Sequence, residues 1–186
     1  INYLFIIILN SYFCNMKIGL IYGSDTGDTE EISNRIKEKL KNFDVTIYEV
    51  SDVDENIILK FDFLIFGLST WYDGDLQSDW ENYFEDFKKI DFSGKIVSFF
   101  GLGDQYGYDY NFVDGIGMLA VEVIRNNGKI VGLWPNEGYE FAESKGLKDE
   151  KTFYGLVIDQ DNQYELTDER IDVWSKDIID YLKKSK

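Results

Sequence analysis

Histidine is absent from the 186-residue sequence and Cys14 is its only cysteine. Those absences exclude Ser-His-Asp triads, Cys-His pairs, CxxC redox motifs and nearly all zinc and copper sites. Redox chemistry in such a chain needs an organic cofactor. There is one proline and no long Gly/Ser or Gln/Asn tract, so disordered and fibrous classes fit poorly. Basic residues are scarce: 19 Lys and Arg stand against 35 Asp and Glu, a formal net charge of -16. Such a chain repels nucleic-acid phosphates and anionic lipid headgroups, so neither nucleic acid nor membrane is an expected partner, and basic protein faces are the natural complement. The longest apolar run lies in the opening INYLFIIILNSYFCN. It is too short to span a bilayer, has no basic residue ahead of it, and has no small-residue cleavage site behind it. A cytoplasmic monomer is expected. Because Met16 directly precedes the first clear strand, residues 1–15 are expected to be a non-native or disordered extension to a domain running from 16 to 186.

What is present is apolar and aromatic: 44% of the chain is hydrophobic and 17% is Phe, Trp or Tyr. One compact domain with a sizeable core is expected at this length. β-Branched runs alternate with segments of helical period, which predicts an α/β fold: a parallel sheet with helices on both faces. Strands are predicted over 18–22, 45–50, 61–67 and 95–100. A fifth begins at 130–134 and resumes at 153–158, split by an insertion of about residues 135–152. The stripe Ile32, Ile36, Leu40 marks a first helix. Trp80, Tyr83, Phe84 and Phe87 sit at helical spacing and read as core. A third helix over 112–126 is expected to end at Gly128, and a last one to start at Thr167 as N-cap and run to Leu182.

In an open parallel sheet, ligands bind beyond the carboxyl ends of the strands where the strand order reverses. Three loops leave those ends. The first, Ser24-Asp25-Thr26-Gly27-Asp28-Thr29, offers hydroxyls and backbone N–H groups to an anion at a helix N-terminus. It holds no Lys or Arg and lacks GxxxxGK[ST], so a monophosphate bound without metal suits it better than ATP; the same residues could equally do no more than cap the helix. The second, Ser69-Thr70-Trp71-Tyr72-Asp73-Gly74, sets a tryptophan in polar company directly after a buried strand. The third, beginning Gly101-Leu102-Gly103-Asp104 and reaching Tyr108, supplies tyrosines flanked by glycines that permit close backbone approach to a flat ligand. Two facing aromatics would sandwich a ring, and Asp104 with its neighbouring peptides would meet the ring's polar edge.

GSDTGDTE, STWYDGDLQSDW and GLGDQYGY, in that order, resemble the phosphate loop and the two flavin-contacting loops of the flavodoxin family. The split fifth strand resembles its long-chain branch. The resemblance runs from Met16 to the C-terminus. It implies a doubly wound five-stranded sheet of order 2-1-3-4-5 and non-covalent FMN as cofactor. The implied FMN-binding residues are those of the first two loops together with Gly101, Gly103, Asp104, Tyr108 and Asp161. Within that set the resemblance implies that Ser24, Thr26 and Thr29 hold the phosphate, that Trp71 and Tyr108 cover opposite ring faces, and that the 72–73 peptide faces flavin N5. It further implies a low-potential one-electron carrier, not an enzyme, serving reductases and low-potential oxidoreductases with basic docking faces. Two residues depart from the family pattern: Asp28 stands where Asn is usual, and Asp109-Tyr110 follow the stacking tyrosine. A carboxylate beside a phosphate dianion weakens FMN binding if it is close and desolvated, and matters little if it points into solvent.

The competing enzyme reading is an FMN-dependent quinone or NAD(P)H reductase, which needs a substrate pocket over the ring that Trp71 and Tyr108 would close. A phosphoacceptor receiver domain shares the strand order, but it needs an acidic pair after the first strand and an Asp ending the third. Gly23-Ser24 and Gly67-Leu68 stand there instead.

Overall fold

The computed structural model describes residues 16–184; the expected extension over 1–15 lies outside the described residues. Among the described residues, ten strands and six helices follow in chain order. They are β1 (Lys17–Tyr22), α1 (Asp28–Lys39), β2 (Asp44–Glu49), α2 (Glu55–Ile58), β3 (Phe63–Trp71), β4 (Asp75–Leu76), α3 (Ser78–Phe87) and β5 (Ile96–Leu102). After them come α4 (Asp114–Arg125), β6 (Lys129–Ile130), β7 (Trp134–Pro135), β8 (Leu147–Asp149), β9 (Thr152–Phe153), β10 (Leu156–Ile158), α5 (Gln160–Gln163) and α6 (Thr167–Lys184). The main sheet is parallel along β10-β5-β3-β1-β2, the order 2-1-3-4-5 expected from the sequence.

The fifth position is shared. β6 pairs with the first part of β5, Ile96 and Val97, and β10 pairs with its end, Phe100 to Leu102. The halves are shorter than the sequence reading because Gly132, at φ 73, turns the chain out of the sheet. Trp134 and Phe153 leave it too: they pair with each other in a separate antiparallel sheet of order β7-β9-β8. Phe112, Tyr139, Phe141 and Phe153 pack there as an aromatic cluster with ring centroids 5.2–6.1 Å apart. Enough apolar surface is buried in it to hold the inserted segment against the main body.

Both faces of the sheet are covered. On β5, Gly101 faces Ile116 of α4, while Ser98, an odd number of residues away, faces the side where Trp174 and Ile178 of α6 lie against Gly132. Ile32, Ile36 and Leu40 are fully buried under α1, and Phe66 on β3 meets Trp80 and Phe87 of α3 edge-on at 5.5 and 5.3 Å. Each such side chain contributes about 1.5–3 kcal/mol by burial. Tyr83 and Phe84 pack against the same core while partly exposed.

Four local features differ from the sequence reading. The second loop, read over 69–74, is largely part of a hairpin: β3 runs on to Trp71 and β4 folds back, pairing Thr70 with Leu76 and Trp71 with Asp75. Gly101 and Leu102 still belong to β5. The left-handed residue that ends α4 is Asn127 at φ 68, while Gly128 donates its N–H to the Val123 carbonyl at 2.8 Å in the position after it. Thr167 is already helical, because a 3-10 turn over Tyr164–Leu166 leads straight into α6, and its buried hydroxyl has no partner among the described residues.

Candidate functional site

Loops at the carboxyl ends of β1, β3 and β5 enclose one cavity of about 350 Å³. Thr26, Asp28 and Thr29 line it from the first loop, Ser69, Thr70 and Trp71 from the second, and Gly103, Asp104 and Tyr108 from the third. Asp161 reaches it from α5, beside Gln160, and Leu102 closes the list of walls. Among the sequence-predicted residues, Asp25 and Tyr72 line a neighbouring depression instead. Ser24, Gly27, Asp73 and Gly74 form the turns that carry lining residues. Gly101 lies inside β5, where a Cβ would meet Ile116 at 2.6 Å, so its lack of a side chain serves strand-on-helix packing.

The first loop is set by its own short bonds. Ser24 Oγ accepts the Gly27 N–H at 3.0 Å, and Gly27 precedes α1 at φ 95, a left-handed conformation that suits glycine, with nothing near its missing Cβ. No side chain caps α1, so its first N–H groups stay available to an anion. Asp25 turns away, accepting from Gln77 Nε2 at 3.0 Å and Ser78 Oγ at 2.6 Å. Asp28 is exposed at the rim of the cavity, which it lines, and accepts the Thr26 hydroxyl at 2.5 Å.

In the hairpin, the Trp71 indole N–H donates to Ser69 Oγ at 2.8 Å, which fixes the ring plane at the cavity wall. Thr70 Oγ1 accepts the Gly115 N–H at 3.0 Å, tying the strand end to α4. The turn beyond is tight, with Tyr72 at φ 45, Gly74 at φ 96, and the Gly74 N–H donating to the Trp71 carbonyl at 3.1 Å. In the third loop, Asp104 Oδ1 accepts from the Tyr106 and Gly107 N–H groups and from Asn162 Nδ2, all within 2.7–3.0 Å. One oxygen of that carboxylate therefore shapes the loop.

Charge around the cavity is of one sign, with Asp28, Asp104 and Asp161 lining it and no Lys or Arg among the lining residues. Burial pushes the Asp161 carboxyl above its ordinary range, and Asp104, Asp159 and Asp28 push it further. Asp104 feels burial most strongly as well, but the Gly107 N–H, the Asn162 amide and the Tyr106 N–H outweigh it and hold this carboxyl below the usual range.

A family model for flavodoxin matches residues 20–174. The chain belongs to the flavodoxin family. Flavodoxin from Nostoc sp. is 45% identical over 158 residues, covering 85% of this chain and 92% of the relative. Flavodoxin 1 of Escherichia coli is 40% identical over 164 residues, covering 88% and 93%. Among solved structures, a Fusobacterium nucleatum flavodoxin bound to flavin mononucleotide is 33% identical, covers 88% of this chain and 97% of its own, and superposes with a TM-score of 0.83. Among the described residues, no helix is long and apolar enough to cross a membrane.

The cavity owes much of its shape to residues outside the predicted set. Asp159 is fully buried and accepts from the Gln105 backbone N–H and Nε2 at 3.1 and 2.7 Å and from the Asn162 N–H at 3.0 Å. It thus holds the third loop to α5. Gln77, also fully buried, joins Asp25 of the first loop to the start of α3, donating through Nε2 and accepting the Trp80 N–H at 3.2 Å. A signal for Asp159 existed: it is the first residue beyond a strand's carboxyl end, where ligands of such sheets bind. Gln77 carries no such mark, since an amide earns its place only through partners from distant segments.

Proposed function

We propose that the chain binds one FMN non-covalently in this cavity and passes single electrons at low potential between larger redox enzymes. The observation that carries the reading is the joint placement of Trp71 and Tyr108 on the same cavity as Thr26 and Thr29 at the start of α1. Flat aromatic walls and an uncapped helix N-terminus suit the two unlike parts of a flavin phosphate, and the volume falls within the roughly 300–1,000 Å³ common for cofactor pockets. Thr26, Thr29 and the first amides of α1, with Ser24 shaping their loop, would hold the phosphate, Trp71 and Tyr108 would cover the ring, and the 72–74 turn would face its edge.

When bound, the flavin supplies the electron-accepting chemistry; the chain contributes position and electrostatics. Asp28, Asp104 and Asp161 disfavour added negative charge in the cavity, which lowers the potential by about 59 mV for each ~1.4 kcal/mol. The acidic surface suits transient docking to basic faces of reductases and low-potential oxidoreductases, with the protein acting as a cytoplasmic monomer.

The test is a visible spectrum of the purified protein followed by stepwise anaerobic reduction. Bound FMN with two separate one-electron steps is the expected result. A chain that takes up no FMN overturns the site, and reduction in a single two-electron step with fast NAD(P)H oxidation overturns the carrier in favour of a reductase.

A further inference from the structure

Asp114, the first residue of α4, is 1% exposed. A buried carboxylate is costly unless fully partnered, and its partners here come from two places. Asn111 Nδ2 donates at 3.3 Å, and the inserted segment supplies both the Lys145 backbone N–H and the Lys145 ammonium at 2.7 Å each. The segment lies hard on α4 at this point: a Cβ on Gly117 would stand 1.8 Å from the Lys145 carbonyl oxygen. On the other side the cluster meets the hairpin turn. A Cβ on Gly74 would stand 2.8 Å from Asn111 Nδ2 and 2.9 Å from Asp114 Oδ2, so the turn's backbone rests on these two side chains. One residue further along α4, the Gly115 N–H holds Thr70.

We propose that Lys145 and Asp114 form a clamp through which the inserted segment positions the 72–74 turn, and with it the peptide groups at the edge of the cofactor cavity. Both are positioning residues, and the inference rests on the FMN reading above. The turn holds two residues at positive φ between Trp71, a wall of the cavity, and the clamp. The side of the Gly74 backbone where a Cβ would stand is occupied by Asn111 Nδ2 and Asp114 Oδ2. The Lys145 ammonium pairs with Oδ2, the carboxylate oxygen nearest Gly74; without it the Asn111 amide and the Lys145 N–H still hold the carboxylate, but the charge facing the turn loses its neutralising partner. Peptide dipoles at the cavity edge act unequally on cofactor forms that differ in charge or protonation, so the position in which the turn is held enters the relative affinity for the oxidised and one-electron-reduced cofactor.

The experiment compares the wild type, Lys145→Met, Lys145→Arg and Lys148→Met as FMN-loaded proteins. Lys148 pairs only with Asp149 among the ion pairs of this segment, at the surface, so its variant removes one positive charge without touching the clamp. Lys145→Met is expected to change the ratio of affinities for the oxidised and one-electron-reduced cofactor by about tenfold, a shift of ~59 mV in the first midpoint potential. Lys145→Arg restores part of that shift, and Lys148→Met stays at the wild-type value. If Lys145→Met fails to fold, Asp114→Asn is read in its place against the same control. A first midpoint identical in the clamp variant and Lys148→Met overturns the inference, whatever their thermal stabilities. A wild type that binds no FMN overturns the earlier reading instead.

Discussion

Asp28 and Asp161 reach one cavity from two segments, α1 and α5, and each gives a prediction of its own. Asp28 engages the Thr26 hydroxyl, so it both repels a phosphate dianion and occupies a donor that would serve it. Asp28→Asn should bind FMN about tenfold more tightly at low ionic strength, with a smaller gain in high salt, and should leave riboflavin affinity unchanged. Fluorescence titration with both flavins checks it, and an equal gain for riboflavin would place the effect outside the phosphate end. For Asp161 the folded-state pKa is raised. An acid of that kind destabilises the fold where it is ionised, and the penalty is relieved as the pH falls through its raised folded pKa towards the unfolded one. Asp161→Asn should therefore raise the melting temperature of the FMN-free protein at neutral pH, with the gain shrinking in acid. A gain that persists unchanged in acid would show that the buried, repelled charge of Asp161 is not its source.

At the level of elements, α4 matters most because it meets β3, β5, the hairpin and the inserted segment. Its end is a two-bond cap in which the Asn127 N–H donates to the Ile124 carbonyl and the Gly128 N–H to that of Val123. The chain then enters β6 without a loop. Asn127 sits at φ 68, a conformation costing a residue with an ordinary side chain about 1–2 kcal/mol. Asn127→Ala should lose about 1 kcal/mol of stability and Asn127→Gly should lose none, measured by denaturant unfolding of the FMN-free protein. Equal losses in both would mean that the Asn side chain, and not the backbone angle, is what the position requires.

For the whole molecule, the net charge of -16 dominates any encounter at distances beyond contact. Association with a partner bearing a basic face should slow steeply as salt rises, because the Debye length falls to about 10 Å at 0.1 M. Stopped-flow electron transfer across a salt series checks this, and rates independent of ionic strength would remove steering from the account.

Much of this was legible in the sequence because the relevant signals are local. Fully apolar runs such as 63–68 mark strands buried on both faces, the four-residue recurrence of Ile32, Ile36 and Leu40 marks a helix stripe, and polar loops after strand ends mark the walls of the cavity. The strand order came with the resemblance of the three loops to a known family, since connection rules alone leave more than one doubly wound order open. What only the tertiary structure decided depends on partners far apart in the chain. Asp25 turns from the cavity because Gln77 and Ser78 claim it. Trp134 and Phe153 leave the main sheet because they pair with each other. Asp114 becomes a support for the hairpin turn only when Lys145 is folded against it. A single sequence shows which residues can bury, bond or bend; which of them meet is set by packing, where each buried polar group takes whichever partner the fold delivers.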